Sequence, residues 1–344
     1  WLHEWVLAAL RPASPLTTLI VETLAAAVVL VTCIAVSLLA AAPAALQRGN
    51  VLARRYRMPA VSTSAHVGDR VRRGLLLVLA GSLAWCVFAR LAAVAPWLAG
   101  IGLALVLLTL VLLVALLAPW VMLLSPRVRP LRDEAVTGRL HAMASRANLR
   151  LAGLHEWVFG PHGDQANAAL MGVIGPRRLL ISDTLVTGCP PEEMDAVVAH
   201  ELGHHAHGHT WQRARARAAT LLAAALGAQA CAAGPARWFG GTQGLTDPAS
   251  VPWMLIGAGA VWVAARPWLL AQSRAHEVEA DAFALKLTGR PDVLERVLAR
   301  LGERNLSSDD DSPLTRAFFL THPPIAARIA AARRAAGAAR VTQG

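Results

Sequence analysis

Two histidines and one glutamate in the segment Val197–His205 have the residue types and the spacing of a hydrolytic metal site. Residues four apart lie on the same face of an α-helix, so His200 and His204 can each point one ring nitrogen at a single metal ion. Glu201 then sits beside that ion, where its carboxylate can take a proton from a metal-activated water and pass it to a leaving amine. This division of labour is typical of His-Glu-x-x-His zinc peptidases.

The same segment also fits an exposed, histidine-rich helix. Three more histidines follow the motif directly: His205, His207 and His209. The preceding residues 190–193, Pro-Pro-Glu-Glu, favour a well-formed helix, because prolines stand where backbone donors are free and acidic residues lie at the positive end of the helix dipole. A five-residue motif therefore needs further support from the rest of the chain.

A catalytic zinc normally has three protein ligands, so a third donor is required. Continuation as H-x-x-G-x-x-H is excluded, because His207 and Thr210 stand where Gly and His would be needed. His207 lies close to the ligand face, but a straight helix carries it further along the axis. On a second predicted helix, Glu277 and Asp281 share a face, whereas Glu279 points almost the opposite way. Glu277 can bind the metal while Asp281 orients a ligand histidine; the alternative is an exposed helix with i, i+4 charge pairs.

The composition around these residues indicates a membrane protein. Of 344 residues, 55% are hydrophobic and only 16% are charged, whereas about a quarter are charged in an average soluble protein. The net charge of +11 comes from arginines beside apolar runs. No nucleic-acid motif accompanies them, so we expect no nucleic-acid partner. The four cysteines lack C-x-x-C spacing and predict neither a disulfide framework nor a thiolate zinc site.

Five apolar runs are candidates to cross a bilayer. Their ranges are 23–46, 74–96, 97–124, 218–236 and 248–265. The first three form an N-terminal membrane region, residues 1–125, and the last two a predicted transmembrane hairpin, residues 218–266. Because arginines concentrate in 47–73 and 127–150, the positive-inside rule places both segments in the cytoplasm. For the hairpin, a buried helix pair in a soluble core is the alternative, since both runs are at the low end of spanning length.

The remaining sequence has the composition of a soluble catalytic domain in two parts, 126–217 and 267–344. The first part contains a predicted helix and three strands of a small antiparallel sheet. These elements are Leu131–Leu149, Leu151–Phe159, Ala168–Ile174 and Arg178–Leu185. The second part contains three predicted helices, Ser273–Leu287, Pro291–Leu301 and Pro324–Ala336.

Four elements in this order resemble one known family. They are His200-Glu201-Leu202-Gly203-His204, an apolar hairpin, Ser273-Arg274-x-x-Glu277-x-x-Ala280-Asp281 and Thr321-His322-Pro323-Pro324. The combination is similar to the integral-membrane gluzincin peptidases, which include the CAAX prenyl proteases and HtpX-like proteases (metallopeptidase family forty-eight). The resemblance covers about residues 126–336. Asn167-Ala168-x-x-x-Gly172 also matches the family's edge strand, along which substrate lies.

The resemblance implies one zinc ion per chain. His200, His204 and Glu277 would be its ligands, Glu201 the general base, and Asp281 the partner of a ligand histidine.

The resemblance also assigns roles to three residues outside the zinc ligands. His322 would reach the site as a possible stabiliser of the tetrahedral intermediate, although a turn histidine held by the following prolines is an equal alternative. Asn167 and Gly172 would bind the substrate backbone by β-augmentation, although a structural asparagine at a strand start is nearly as consistent.

The implied fold is a mainly α membrane protein with about five transmembrane helices and a cytoplasmic α+β zincin-like catalytic domain. The implied function is that of a zinc-dependent endopeptidase in the plasma (inner) membrane, acting on membrane-associated or unfolded proteins or peptides, with the lipid bilayer as its other partner. A sensor-type regulatory protease remains an alternative, but its sensor domain would not fit the outer loop 237–250. A non-catalytic zinc-binding scaffold is the other alternative, although it would have no chemical need for Glu201.

Overall fold

The computed structural model describes residues 15–46, 63–158, 167–172, 177–234, 238, 245–304 and 311–341. The chain divides into two compact units. One comprises residues 1–110 and 218–264, and the other residues 111–217 and 265–344. Several helices continue from one unit into the other, so the ranges below are those of whole elements.

The first unit is built from long apolar helices. The described helices that contribute to it are α1 (Pro15–Leu46), α2 (Thr63–Val94), α3 (Ala99–Leu123), α7 (His209–Ala233) and α8 (Val251–Thr288). Its core is alanine-rich around Trp85 and Phe88. A Cβ atom on Gly257 of α8 would collide with the carbonyl of Gly227 on α7. These two helices therefore pack backbone to backbone, as small residues allow in membrane helices.

Four helical segments among the described residues are long and apolar enough to cross a membrane by length and composition. They are Gly74–Val94, Pro96–Leu123, His209–Ala233 and Pro248–Thr288. The segment Ile20–Val36 is also apolar but shorter. This is the architecture of a multi-pass membrane protein. The segment 47–73 was predicted to be cytoplasmic. Four of its arginines, at positions 48, 54, 55 and 57, lie outside the described residues.

The second unit contains a four-stranded sheet. Its strands are β1 (Val128–Pro130), β2 (Leu151–Trp157), β3 (Ala168–Met171) and β4 (Arg177–Ser182), in the order β1-β2-β4-β3. β1 and β3 are antiparallel to their neighbours, but β2 and β4 are parallel. The prediction of an antiparallel sheet was therefore wrong, and the sheet is mixed. The reason is that β4, whose Leu179 to Ser182 are all buried, takes a central position between β2 and β3.

The predicted strand Arg178–Leu185 was also too long. The Ser182 side chain accepts a hydrogen bond from the Leu185 N–H and caps a short helix, α5 (Asp183–Gly188). The end of the predicted strand Ala168–Ile174 and the turn after it fall at 173–176, outside the described residues.

The rest of the second unit that the structure describes is mainly helical. Its helices include α4 (Glu134–Arg146), α6 (Pro191–Ala206), the C-terminal part of α8, α9 (Pro291–Arg304), α10 (Pro313–Phe318) and α11 (Ile325–Val341). The separate helix predicted at Ser273–Leu287 is the end of α8, which runs without a break through Pro267. Between the apolar run and the polar segment that begins at Ser273, Pro267 is the one residue that disfavours a helix. A long helix can accommodate a single proline, so α8 continues through it.

Candidate active site

Helix α6 presents the His-Glu-x-x-His motif on the face opposite the core. Its Val198 and Leu202 are fully buried in the core between sheet and helices. His200 is two residues after Val198 and His204 is two residues after Leu202, so each histidine is rotated by about 200° around the helix from the buried residue before it. Packing against the sheet therefore directs both imidazoles away from it.

A glycine allows α6 and α8 to approach closely enough to share a site. A Cβ atom at Gly203 would lie 3.1 Å from both the Cα and the carbonyl oxygen of Ala280, and 3.0 Å from the Cβ of Phe283. Such contacts are tighter than almost all real ones. Ala280 is itself fully buried. The two small residues thus let α8 place the side chain of Glu277 beside the motif.

The carboxylate of Glu277 faces both motif histidines. Its Oε2 lies 3.5 Å from His200 Nε2 and its Oε1 lies 3.3 Å from His204 Nε2. The three groups offer ligand atoms that all lie within 4.8 Å of one another. Donors about 2.1 Å from a tetrahedral zinc are separated by about 3.4 Å. Two imidazoles and a buried carboxylate at these distances therefore fit a zinc ion with one position left open.

Asp281 holds the other ring nitrogen of His200. The distance from His200 Nδ1 to Asp281 Oδ1 is 2.9 Å. The Arg328 guanidinium donates two hydrogen bonds of 2.7 Å to the same carboxylate, through Nε and Nη2. Both side chains are buried. A carboxylate with these donors fixes the orientation and tautomer of His200, as expected behind a metal ligand.

A second chain of hydrogen bonds lies behind His204. The distance from His204 Nδ1 to His209 Nδ1 is 2.9 Å, and His209 Nε2 lies 2.8 Å from Glu279 Oε2. His209 is fully buried and stacks on His276 with ring centroids 4.0 Å apart. If His204 binds metal through Nε2, its Nδ1–H donates to His209, which donates in turn to Glu279.

The surroundings of α6 raise the pKa values of two motif residues, His200 and Glu201. Burial disfavours a charged His200, but its hydrogen bonds to Asp281 and Glu277 outweigh burial and raise the pKa of His200 to about 9. Burial also raises the pKa of Glu201, although the neighbouring His200 and His204 act in the opposite direction. A carboxylate with a raised pKa is a stronger base than an exposed one.

His322 reaches the same carboxylate from the C-terminal part. Its Nδ1 lies 2.9 Å from Glu277 Oε2, and 59% of its side chain is exposed. It therefore stands at the mouth of the site. His207, in contrast, bonds through Nδ1 to the Gly203 carbonyl at 3.0 Å and does not join the ligand cluster.

Asn167 and Gly172 flank the edge strand β3. The Asn167 N–H donates to Ser182 Oγ at 2.9 Å, and the Ser182 N–H donates to the Asn167 carbonyl at 2.8 Å. Gly172 has φ +108°, which side-chain-bearing residues rarely adopt, and its carbonyl accepts from Arg177. β3 is the last strand of the sheet and packs against α6. The strand edge and the motif helix are therefore neighbours.

Sequence reasoning missed several residues of this site, among them Arg328, His209, Glu279 and Arg213, whose Nη2 lies 3.8 Å from Glu277 Oε1. Arg328 is one of several arginines in an Arg/Ala-rich helix, and no pattern marks it as buried. The histidines after the motif were a signal for His209, but they also fitted an exposed face.

The chain is similar to known proteins. The model of Peptidase family M48 matches residues 130–336. The chain is 31% identical over 210 residues to "CAAX prenyl protease 1 homolog" of Arabidopsis thaliana, covering 59% of this chain and 48% of that protein. It is 31% identical over 229 residues to "Protease HtpX homolog" of Acidiphilium cryptum, covering 59% and 76%. The chain thus spans about half the length of the first of these relatives.

The fold has a counterpart among solved structures. The crystal structure of S. mikatae Ste24p matches with a TM-score of 0.73 and 22% identity, covering 87% of this chain and 73% of that one. The family match includes every residue described above in the site, and it extends over more than half of the chain. The predicted family is therefore confirmed: the chain belongs to peptidase family M48.

Proposed function

We propose that the protein is a zinc-dependent membrane endopeptidase with one zinc ion per chain, which hydrolyses peptide bonds of membrane-associated or unfolded proteins. The observation that carries the proposal is the convergence of Glu277 on His200 and His204, with Glu201 next to them on α6. This ligand set, two histidines and a glutamate with an open fourth position, is that of catalytic rather than structural zinc.

In the proposed hydrolysis, Glu201 and His322 have different roles. Zinc, when bound, supplies a positive charge that lowers the pKa of a water molecule and polarises the peptide carbonyl. Glu201 accepts the proton of that water as its oxygen attacks the carbonyl carbon, and then delivers the proton to the leaving amine. His322 would donate an N–H to the oxygen that becomes negative during attack, a role supported by its position on the exposed side of Glu277.

Substrate is proposed to bind as an additional strand on β3. This strand is at the free edge of the sheet and packs against α6, so an added peptide would run beside the motif helix. Asn167 and Gly172, at the two ends of β3, would contact the peptide backbone there. The relative named CAAX prenyl protease suggests a prenylated peptide as one substrate, to be compared with an unfolded protein such as casein.

We propose five spans with the catalytic residues in the cytoplasm, in the plasma (inner) membrane. The count adds α1 to the four candidates found among the described residues, because its 32 helical residues extend about 48 Å. The orientation is supported by the arginine-rich segments 47–73 and 127–150, which follow the first and third spans.

The test compares two glutamates of α6. Glu201→Gln should keep one zinc per chain and lower casein cleavage in detergent by about 10²–10⁴-fold, the usual contribution of a general base. Glu192→Gln, in the first turn of the same helix, should retain both zinc and cleavage. Zinc is measured by elemental analysis and cleavage by release of labelled peptide.

Two results would overturn the proposal. Undiminished cleavage by Glu201→Gln would reject the mechanism. A natural chain that binds zinc stoichiometrically but cleaves neither casein nor a prenylated peptide would instead favour a non-catalytic scaffold.

A further inference from the structure

The segment Ser312–Leu320, called here the α10 segment, exposes two large apolar side chains. Leu314 is 71% exposed and Phe319 is 69% exposed, more than any other large apolar side chain described after residue 265. The segment is nevertheless well structured, because Ser312 caps the helix by accepting from the Thr315 N–H at 3.1 Å. Within the part of the chain that the structure describes, these two side chains are therefore largely uncovered although their backbone is ordered by hydrogen bonds.

Two arginines of α8 hold the α10 segment in place. The Arg266 Nε–H donates to the carbonyl of Phe318, and its guanidinium lies 5.9 Å from the ring centroid of Phe319. Arg274 Nη1 donates to the carbonyls of Arg316 at 2.8 Å and Leu320 at 3.0 Å. Arg266 and Arg274 are eight residues, about 12 Å, apart along α8, and both reach carbonyls of the short stretch 316–320, so the segment lies beside the part of α8 between them.

The position along α8 indicates what surrounds Phe319. The apolar run 248–265 is about 27 Å long as a helix, close to the hydrocarbon thickness of about 30 Å. Arg266 and the half-exposed Trp268 come directly after it, and tryptophan and arginine concentrate at this boundary. Phe319, whose ring lies beside the Arg266 guanidinium, is therefore held just beyond the end of the apolar run.

We propose that the α10 segment is a membrane-interface anchor, in which Leu314 and Phe319 enter the boundary between headgroups and acyl chains of the bilayer. The inference rests on the proposed span in α8. A lipid surface is the occupant that fits, because the apolar side chains are accompanied by Arg266, Arg274 and Arg316, whose charges match anionic headgroups.

The anchor has a consequence for the active site. His322 follows Phe319 by three residues, and its Nδ1 lies 2.9 Å from Glu277. The bilayer would thereby support the segment that presents His322, in addition to its hydrogen bonds to α8.

The direct test measures depth with nitroxide labels. Single cysteines are introduced by Leu314→Cys and Phe319→Cys, in a chain whose four natural cysteines are replaced by alanine. The protein is reconstituted in vesicles of equal parts phosphatidylcholine and phosphatidylglycerol. Both labels should collide more with oxygen, which partitions into lipid, than with a water-soluble nickel chelate.

Two positions on α8 are matched controls. Ile256→Cys, in the apolar run, should be oxygen-accessible, and Lys286→Cys, at the other end of the same helix, should be chelate-accessible. Chelate-accessible labels at 314 and 319 with an oxygen-accessible 256 would reject the anchor and leave the span intact. A chelate-accessible 256 would reject the span itself. Labels at 314 and 319 shielded from both probes would show a protein-covered face and also reject the anchor.

An activity measurement separates lipid from substrate as the occupant. Phe319→Ser should lower casein cleavage several-fold in vesicles but leave kcat and KM for a soluble peptide in detergent nearly unchanged. Leu301→Ser, which replaces an exposed apolar residue on α9, should change neither. A raised KM for Phe319→Ser in detergent would assign the side chain to substrate binding and contradict the anchor.

Discussion

Arg328 provides the strongest single test of the structure behind the metal site. Its side chain is 4% exposed and donates two 2.7 Å hydrogen bonds to Asp281, which is 7% exposed. Arg328→Met keeps most of the side-chain volume but leaves the Asp281 charge buried with His200 as its remaining close partner. Removing one member of a buried ion pair costs about 3–5 kcal/mol. For 344 residues, an unfolding entropy of about 2.1 cal/mol/K per residue converts that free energy into a fall in Tm of about 4–7 °C.

The assay is thermal unfolding in detergent, followed by circular dichroism, in a double-mutant cycle with Asp281→Asn. The double variant has neither charge, so its loss of stability should be smaller than the sum of the single losses by about 1–3 kcal/mol. Asp281→Asn should also weaken zinc binding by about 10–100-fold, because it removes the carboxylate that orients His200.

Arg333 is the matched control on the same helix. It pairs with Glu295, but 66% of its side chain is exposed, and solvent screens an exposed pair so that it contributes little to stability. The Tm of Arg333→Met should therefore be close to that of the natural chain. The reasoning would be refuted if Arg328→Met lowered Tm no more than Arg333→Met, or if the losses in the cycle were simply additive.

Three further predictions concern helix packing, the His204 side and pH. Gly203→Ala should destabilise the protein by about 1–3 kcal/mol by overpacking, whereas Gly138→Ala, with nothing within 4 Å of its added Cβ, should be neutral or stabilising in thermal unfolding. His209→Ala should weaken zinc binding about 10–100-fold in competition with a chelating indicator, and Glu279→Gln should do so less, because 51% of that side chain is exposed. After zinc removal, the raised pKa of His200 contributes stability that is complete below about pH 6.5 and is lost as pH rises to about 9. The melting temperature of chelator-treated protein should therefore fall across this range, and a flat profile would contradict the assignment.

Local patterns predicted helices well but not the arrangement of the strands. Apolar runs and capping residues identify most of the helices, because their hydrogen bonds are local. Strand pairing is not local, and the insertion of β4 between β2 and β3 depends on which strand is most buried in the finished sheet. The continuity of α8 was missed for a related reason: Pro267 is a stop signal in isolation but is tolerated within a long helix.

The distinction between local spacing and non-local packing also applies to the site residues. His200 with His204, and Glu277 with Asp281, could be paired from sequence because each pair is four residues apart on one helix. Arg328 could not, because its burial results from the packing of α11 and not from any spacing. Glu279 illustrates both cases, since it does point away from the ligands but bonds to His209 behind one of them.

The meeting of the two helices depends on residues that perform no chemistry. Gly203 and Ala280 lie inside the two motif segments, and a Cβ on Gly203 would lie 3.1 Å from the Ala280 Cα and carbonyl oxygen. Moving the helices apart by the few tenths of an ångström that a methyl group requires would also move Glu277 from both histidines, which a zinc ion with bonds near 2.1 Å tolerates poorly. The pattern His-Glu-x-Gly-His therefore supplies two ligands and a base, and its glycine also sets the distance between the helices. The metal site requires both the spacing of the ligands and the small residues at the helix contact.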